Sequence, residues 1–333
     1  MAYIKTLARR AAMAASALAC VCAALAVPQG AALAAYPERP ITLLVGFPPG
    51  GGGDLYGRLI ALAMSKTLGQ TVVVENRPGA GGNIAAEQVA RANPDGYTLI
   101  LAMSGNFAAS PAFKPQQLRY KVPDDFAMIG LILEAPHGMF VSQHSPYKSA
   151  ADVLKTARQK ELTFASTGTG GAAHIGMERI KSLAGLNLLH VPYKGSGPAI
   201  SDLIGGQVDL FFATASPLIG QVRQGQLRVL ALTGQERSPA LPEVPTFKEL
   251  GVDMTMTQWY GLAAPAGTPK AVVETLSRHL SMALKDPAVR ESIRKDAAVE
   301  RDVPMDRFRQ YVVKDIEQYR EAVTPELMKM MGL

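Results

Sequence analysis

From Ile41 onward the chain alternates short apolar runs with stretches whose apolar residues recur every three or four positions. Ile41–Val45 predicts a strand, and Leu55–Leu68 predicts a helix carrying Leu55, Leu59, Leu62 and Ala63 on one face and stopping at Gly69. Thr71–Glu75 is β-branched and reads as a strand, Asn83–Ala92 as a helix closed by the Asn93-Pro94-Asp95-Gly96 turn, and Tyr97–Ala102 as a third strand. Strand and helix in strict alternation predict a parallel sheet with helices on its faces. The alternation then restarts. Strands are expected at Met139–Ser142, Leu162–Ala165, Leu188–Val191, Val208–Ala213 and Leu227–Leu232. Helices are expected at Ala150–Lys160, His174–Ala184, Pro198–Gly205 and Pro217–Gln224. One more strand, Gln258–Ala264, precedes three helical segments near Lys270–Lys285, Pro287–Asp296 and Met305–Ala322. The class is α/β, with two such units.

The N-terminus has a different pattern. Met1–Arg10 carries Lys5, Arg9 and Arg10 and no acid, Ala11–Val27 is an uncharged apolar run, and Ala32-Leu33-Ala34 precedes Ala35. A basic start, an apolar middle and a small-residue A-x-A end predict a secretory signal peptide over residues 1–35, cleaved near Ala34 or Ala35, and hence a periplasmic protein. The apolar run of 17 residues is shorter than the ~20 that a spanning helix needs. Ala17-Leu18-Ala19-Cys20 is a weak lipoprotein-like site, but the apolar run before it is very short, so a lipid anchor at Cys20 is not expected.

Export changes how the composition reads. Cys20 and Cys22 are the only cysteines, so the mature chain would have neither disulfides nor thiolate metal sites. Without Lys5, Arg9 and Arg10, 31 basic residues face 28 acids and the net charge falls from +6 to +3. No basic run remains, which argues against nucleic acid as a partner.

Two glycine-rich loops carry the candidate chemistry. Each follows a predicted strand and opens a helix. The first is Phe47-Pro48-Pro49-Gly50-Gly51-Gly52-Gly53-Asp54. Its glycines let backbone N–H groups approach a ligand, the helix start behind them favours negative charge, and Asp54 is placed to cap that helix. The second is Ser166-Thr167-Gly168-Thr169-Gly170-Gly171-Ala172-Ala173-His174, which adds hydroxyl donors. His174 has two readings, ligand donor or pin for the loop. Loops of this kind gather at the carboxyl ends of parallel strands, where open α/β sheets bind ligands. Arg58 and Lys194 are the cations available to help.

Other chemistries find less support. Neither loop continues into Gly-Lys-Ser/Thr, so no nucleotide P-loop is present. Gly168–Ala173 fits G-x-G-x-x-A, but the next strand ends in Pro192-Tyr193-Lys194-Gly195 without the acid a dinucleotide ribose requires. There is no G-x-S-x-G and no H-E-x-x-H, and His137, His144, His174, His190 and His279 never pair at ligand spacing on one helix. The expectation is a binding protein with no catalytic residues, no metal and no cofactor.

At these loops the sequence resembles the Bug-type receptors of tripartite tricarboxylate transporters. The resemblance runs from about Tyr36 to about Val323. Its markers stand in order: Tyr36-Pro37-Glu38-Arg39-Pro40-Ile41, the first loop, Val74-Glu75-Asn76-Arg77-Pro78-Gly79-Ala80-Gly81-Gly82, Ala92-Asn93-Pro94-Asp95-Gly96-Tyr97-Thr98-Leu99, the second loop, Val191-Pro192-Tyr193-Lys194-Gly195, Gly205-Gly206-Gln207-Val208-Asp209 and Ala264-Pro265-Ala266-Gly267-Thr268-Pro269. The resemblance implies a two-domain periplasmic binding protein of the Venus-flytrap type, each domain a mainly parallel sheet flanked by helices. Domain I would comprise 36–137 plus 262–333 and domain II 138–261. It also implies a small carboxylate in the interdomain cleft, delivery to membrane permease subunits, and a monomer. The ligand contacts it implies are Phe47, Pro49, Gly50, Gly51, Gly52 and Asp54 from the first loop, Ser104 and Asn106 after the third strand, Ser166, Thr167, Gly168, Thr169, Gly170 and His174 from the second loop, and Tyr193. Two other functions share this fold: a ligand sensor signalling to a membrane histidine kinase, and a periplasmic hydrolase or isomerase using the cleft.

Overall fold

Residues 36–322 are described by a computed structural model, and the expected signal peptide lies outside them. From Arg39 they belong to one body. The first three predicted strands form as β1 (Ile41–Val45), β2 (Val72–Asn76) and β3 (Thr98–Met103), all parallel, in the order β2-β1-β3. β1 is buried along almost its whole length, as a strand covered on both faces should be. α1 (Gly52–Leu68) and α2 (Asn83–Ala90) fill the connections. α1 stops where expected, because Gly69 takes a left-handed conformation (φ 70°) and its N–H returns to the Ser65 carbonyl.

The longest strand is β4, Phe126–Ser142. Sequence periodicity predicts only its last four residues. The rest, buried almost throughout and interrupted by Gly130 and Pro136, has no alternation to read. The second unit follows: α3 (Ala150–Ala157), β5 (Leu162–Ser166), α4 (Ala172–Ala184), β6 (Leu188–Pro192), α5 (Ser196–Ile204), β7 (Leu210–Thr214) and β8 (Leu227–Leu232). β5 pairs in parallel with β6 and β7. β9 (Thr257–Pro265), α6 (Lys270–Leu284), α7 (Pro287–Lys295), β10 (Val299–Pro304) and α8 (Met305–Ala322) complete the described chain. β10 escapes the sequence reading because it is a polar strand, VERDVP, paired only to β4.

The strands form one path, β2-β1-β3-β9-β4-β7-β5-β6, with β8 and β10 also on β4. The outer pairs are parallel, as predicted, whereas β9 and β4 run antiparallel to their neighbours. β4 is shared by both ends of the path. Its residues up to Pro136 pair with β9, and from His137 they pair with β7. Separate apolar clusters flank the two ends. One packs Phe107, Phe126, Trp259 and Phe308, and others gather Phe164, Phe212 and Phe247, and Phe140 and Phe211. Among the described residues no helix is long and apolar enough to cross a membrane, and no group of side chains has the makings of a metal site.

Candidate functional site

Three helices point their starts into one cavity of about 160 Å³. α1 presents Gly51, Gly52 and Gly53, α4 presents Gly171, Ala172 and Ala173, and α5 presents Gly195, Ser196 and Gly197. In each case these are the N-cap and the first two helical residues. None of the three N-caps, Gly51, Gly171 and Gly195, offers a side-chain hydrogen bond. Two helices away from the cavity are capped by side chains, α3 by the Ser149–Asp152 capping box and α7 by Asp286, which accepts the Ala288 N–H, whereas α2 and α6 start at Gly82 and Pro269 without a side-chain cap. The first N–H groups of a helix lack intrahelical acceptors, and the helix dipole makes that end positive. Where no side chain satisfies them, a bound anion can.

The remaining walls carry a single charge. Thr214 comes from the end of β7, His137 from β4, and Gln258 and Tyr260 from β9, where alternation turns both toward the cavity. Among the described residues Lys194 is the one charged side chain on the lining, and no Asp or Glu borders it. Burial pushes the His137 imidazole down to about 3, so it stays uncharged. By the volume a single water requires, the space suits roughly a dozen waters, hence a ligand of about ten heavy atoms.

The first loop is held from behind. Asp54 is not the cap that the sequence suggests; Gly51 is, and Asp54 stands three residues further on, in the first turn. Its carboxylate accepts the Gly50 N–H (3.1 Å), the Asn76 amide (3.0 Å) and the Arg58 Nε (2.9 Å). Asn76 Nδ2 also reaches the Phe47 carbonyl at 2.9 Å. Burial alone would raise the Asp54 pKa, but the bonds from Arg58, Gly50 and Asn76 hold it below its usual range. Gly52 has to be glycine, because a Cβ there would run into the Tyr260 hydroxyl.

The second loop is fixed by neutral histidines. His174 Nδ1 accepts the Gly170 N–H at 3.0 Å, which places the imidazole proton on Nε2. His190 Nε2 shares a 2.7 Å hydrogen bond with Ser166 Oγ, and Ser166 Oγ donates to the Gly168 carbonyl at 3.1 Å. Of the two readings of His174, the contacts are those of a loop pin.

Of the sequence-predicted contacts, Phe47, Pro49, Gly51, Gly52, Thr167, Gly168 and Thr169 line the cavity. The others stand behind or beside it. Gly50 and Asp54 belong to the brace just described. Ser104 is buried beside Tyr319, and Asn106 accepts the Met103 N–H and reaches the Gly82 carbonyl. Their neighbours Met103 and Gly105 reach the cavity instead. Ser166 and His174 brace the second loop, Gly170 packs under Lys114, and Tyr193 donates its hydroxyl to Asp202 at 2.6 Å. Sequence reasoning did not single out the α5 start as a third loop, although Gly195-Ser196-Gly197-Pro198 ahead of an apolar helix is a signal of the same kind.

A family model described as the tripartite tricarboxylate transporter family receptor matches residues 57–321. The chain belongs to that family. Among the receptor's relatives, Protein BugT of Bordetella pertussis is 34% identical over 291 residues, 86% of this chain and 89% of its own. The solved periplasmic binding protein BugD has a TM-score of 0.81 and 35% identity, over 89% of this chain and 99% of that one. MatC from Rhodopseudomonas palustris, solved with bound malate, has a TM-score of 0.81 and 32% identity, over 87% and 100%. Rpa4515 of R. palustris, solved with adipate, has a TM-score of 0.83 and 31% identity, over 89% and 98%. The receptor thus has the α/β fold of periplasmic binding proteins, the class its sequence predicts.

Proposed function

We propose that this receptor is exported to the periplasm, captures a small carboxylate in the cavity between its glycine loops, and delivers it to the permease subunits of a tripartite tricarboxylate transporter. The observation that carries the reading is the convergence of three uncapped helix starts on a cavity with no acidic lining. A charge-assisted hydrogen bond contributes about 1.5–3 kcal/mol. Three or four of them supply the ~8 kcal/mol of a micromolar complex, before ordering costs. The malate and adipate in the related structures are acids of the size the cavity admits. The basic and apolar N-terminal segment supports export.

In this reading the two ends of the strand path act as lobes, 36–137 with 262–333 and 138–261, and β4 and β9 are the crossings. The change of β4 partners between Pro136 and His137 supports that division. The protein works by capture rather than turnover: the serine and histidine of the second loop hold the loop, and neither is set up as a nucleophile and base at the cavity.

Thermal shift and calorimetry across mono- and dicarboxylates, their amides and neutral sugars test the proposal. A carboxylate is expected to raise the melting temperature and bind at micromolar concentration, while its amide does neither. A response confined to amides or sugars overturns it. Mass spectrometry of whatever co-purifies identifies the acid.

A further inference from the structure

A second cavity, of about 250 Å³, abuts the first. Gly81, Thr169 and Gly171 line both, so the two spaces meet across a boundary formed by a glycine of one lobe and the second loop of the other. Lys114 lies on the far side of that boundary. It follows the short helical turn Ser110–Phe113, and its backbone N–H is bound to the Ser110 carbonyl. Its side chain is half-buried and runs along the second loop: a Cβ on Gly170 would sit 3.3 Å from Nζ and 3.5 Å from Cε.

No carboxylate among the described residues pairs with Lys114. The one acid lining this cavity, Glu87, is already held by Arg91 at 3.0 Å and Arg119 at 3.7 Å. His174, under the same loop, is neutral; burial, then His190 and then Lys114 itself push its pKa down to about 3. Two ammonium groups by the ligand cavity are therefore left without an ion-pair partner among the described residues: Lys194, exposed on the lining, and Lys114, half-buried at the edge. A half-buried cation without a counterion is unfavourable compared with one that has an anion beside it.

We infer that Lys114 anchors the second carboxylate of an α,ω-dicarboxylic acid whose first carboxylate sits among the three helix starts, with the carbon chain crossing the Gly81–Thr169 boundary. The inference rests on the carboxylate reading above and adds a ligand class to it: acids with a charge at both ends, long enough to cross that boundary. The cradle of helix starts holds one anion by backbone alone. Lys114 makes the other end of the molecule count.

Calorimetry on the mature chain tests this, with saturated α,ω-dicarboxylates of four to eight carbons and the straight-chain monocarboxylate of each length. Beyond a threshold length the diacid is expected to outbind the monoacid by about tenfold, as one charge-assisted contact provides. Lys114→Gln is expected to remove that advantage and leave monoacid affinity within twofold, and Lys114→Arg to restore most of it. Loss of mono- and diacid affinity in equal measure in Lys114→Gln would assign the lysine to closing the loops and overturn the inference. So would diacid binding that ignores the substitution. If no acid of either series binds, the carboxylate reading itself has failed and the inference falls with it. Acids that bind without any advantage to the second carboxylate overturn the inference alone.

Discussion

The imidazole rings of His174 and His190 lie face to face, 3.7 Å between centroids and 13° from parallel. Two imidazolium ions would not stack in this way. Burial holds His174 down to about 3 and His190 down to about 4, so both are neutral in the folded protein. The unfolded chain protonates its histidines near 6.5. The stability these neutral rings contribute is therefore complete above about pH 6.5, and it is lost as pH falls from there toward the folded values. Each histidine steepens the loss by up to about 1.4 kcal/mol per pH unit. Urea unfolding between pH 7.5 and 5 is expected to show this decline. His174→Asn, whose amide oxygen can still accept the Gly170 N–H, should flatten it by about one proton. An unchanged slope in that variant would remove His174 from the account.

Gly51 and Gly52 are neighbours with opposite tolerances. Gly51 has extended N-cap geometry, and a Cβ there meets nothing nearer than the Pro48 carbonyl at 3.9 Å, on the side that lines the cavity. Gly51→Val is expected to keep its melting temperature within a few degrees and to weaken carboxylate binding at least tenfold. Gly52→Ala drives a methyl group into the Tyr260 hydroxyl and is expected to lower stability by about 1–3 kcal/mol, the ordinary cost of overpacking. Calorimetry paired with thermal unfolding separates the two effects. Equal losses of stability and binding in Gly51→Val would make the first loop a mere turn.

Asp54→Asn tests the brace behind the first loop. The carboxylate accepts three hydrogen bonds, two of them from neutral donors and one from a guanidinium, and its pKa lies below the ordinary 3.8. Its contribution is present above about pH 3.8 and is lost as pH falls through the lower folded value. The variant is expected to be less stable at pH 7 by about 1–3 kcal/mol and to converge on the wild type in strong acid. A gap that persists below pH 3 would mean that shape, not charge, holds the loop.

Trp259, the only tryptophan, donates its indole N–H to Asp315 at 2.6 Å. Burial, with Glu134 nearby, pushes the Asp315 carboxyl up to about 6 despite the indole bond, which lowers it. Indole emission is expected to titrate with a midpoint near pH 6, and Asp315→Asn to abolish the titration. A flat profile from pH 5 to 7 in the wild type would rule out the ionisation.

The sequence carried the parts of this molecule that are local. A β-branched run, a glycine stretch and a helical period stand side by side in the chain, so β1, the first loop and α1 could be read in order, and so could β5, the second loop and α4. What it did not carry depends on distant partners. The first thirteen residues of β4 are mostly apolar with no period, because both faces are covered, and β10 is polar because it lies on an edge. The cavity walls, His137, Thr214, Gln258 and Tyr260, come from three strands that meet only through the crossing of β4 and β9. Ser166, His174 and Asp54 looked like contacts because they lie in the right loops. Side chains in a tight glycine loop can instead turn inward and hold the loop's shape, and these three do.

A cradle made of main-chain groups is also difficult to lose by drift. Most substitutions leave a backbone N–H in place, so a side chain on the cavity wall can change without dismantling the anion-holding end of the site. Selectivity can therefore diverge while capture persists: a change at Thr214 or Gln258 reshapes the wall and leaves the N–H groups of the three helix starts in place.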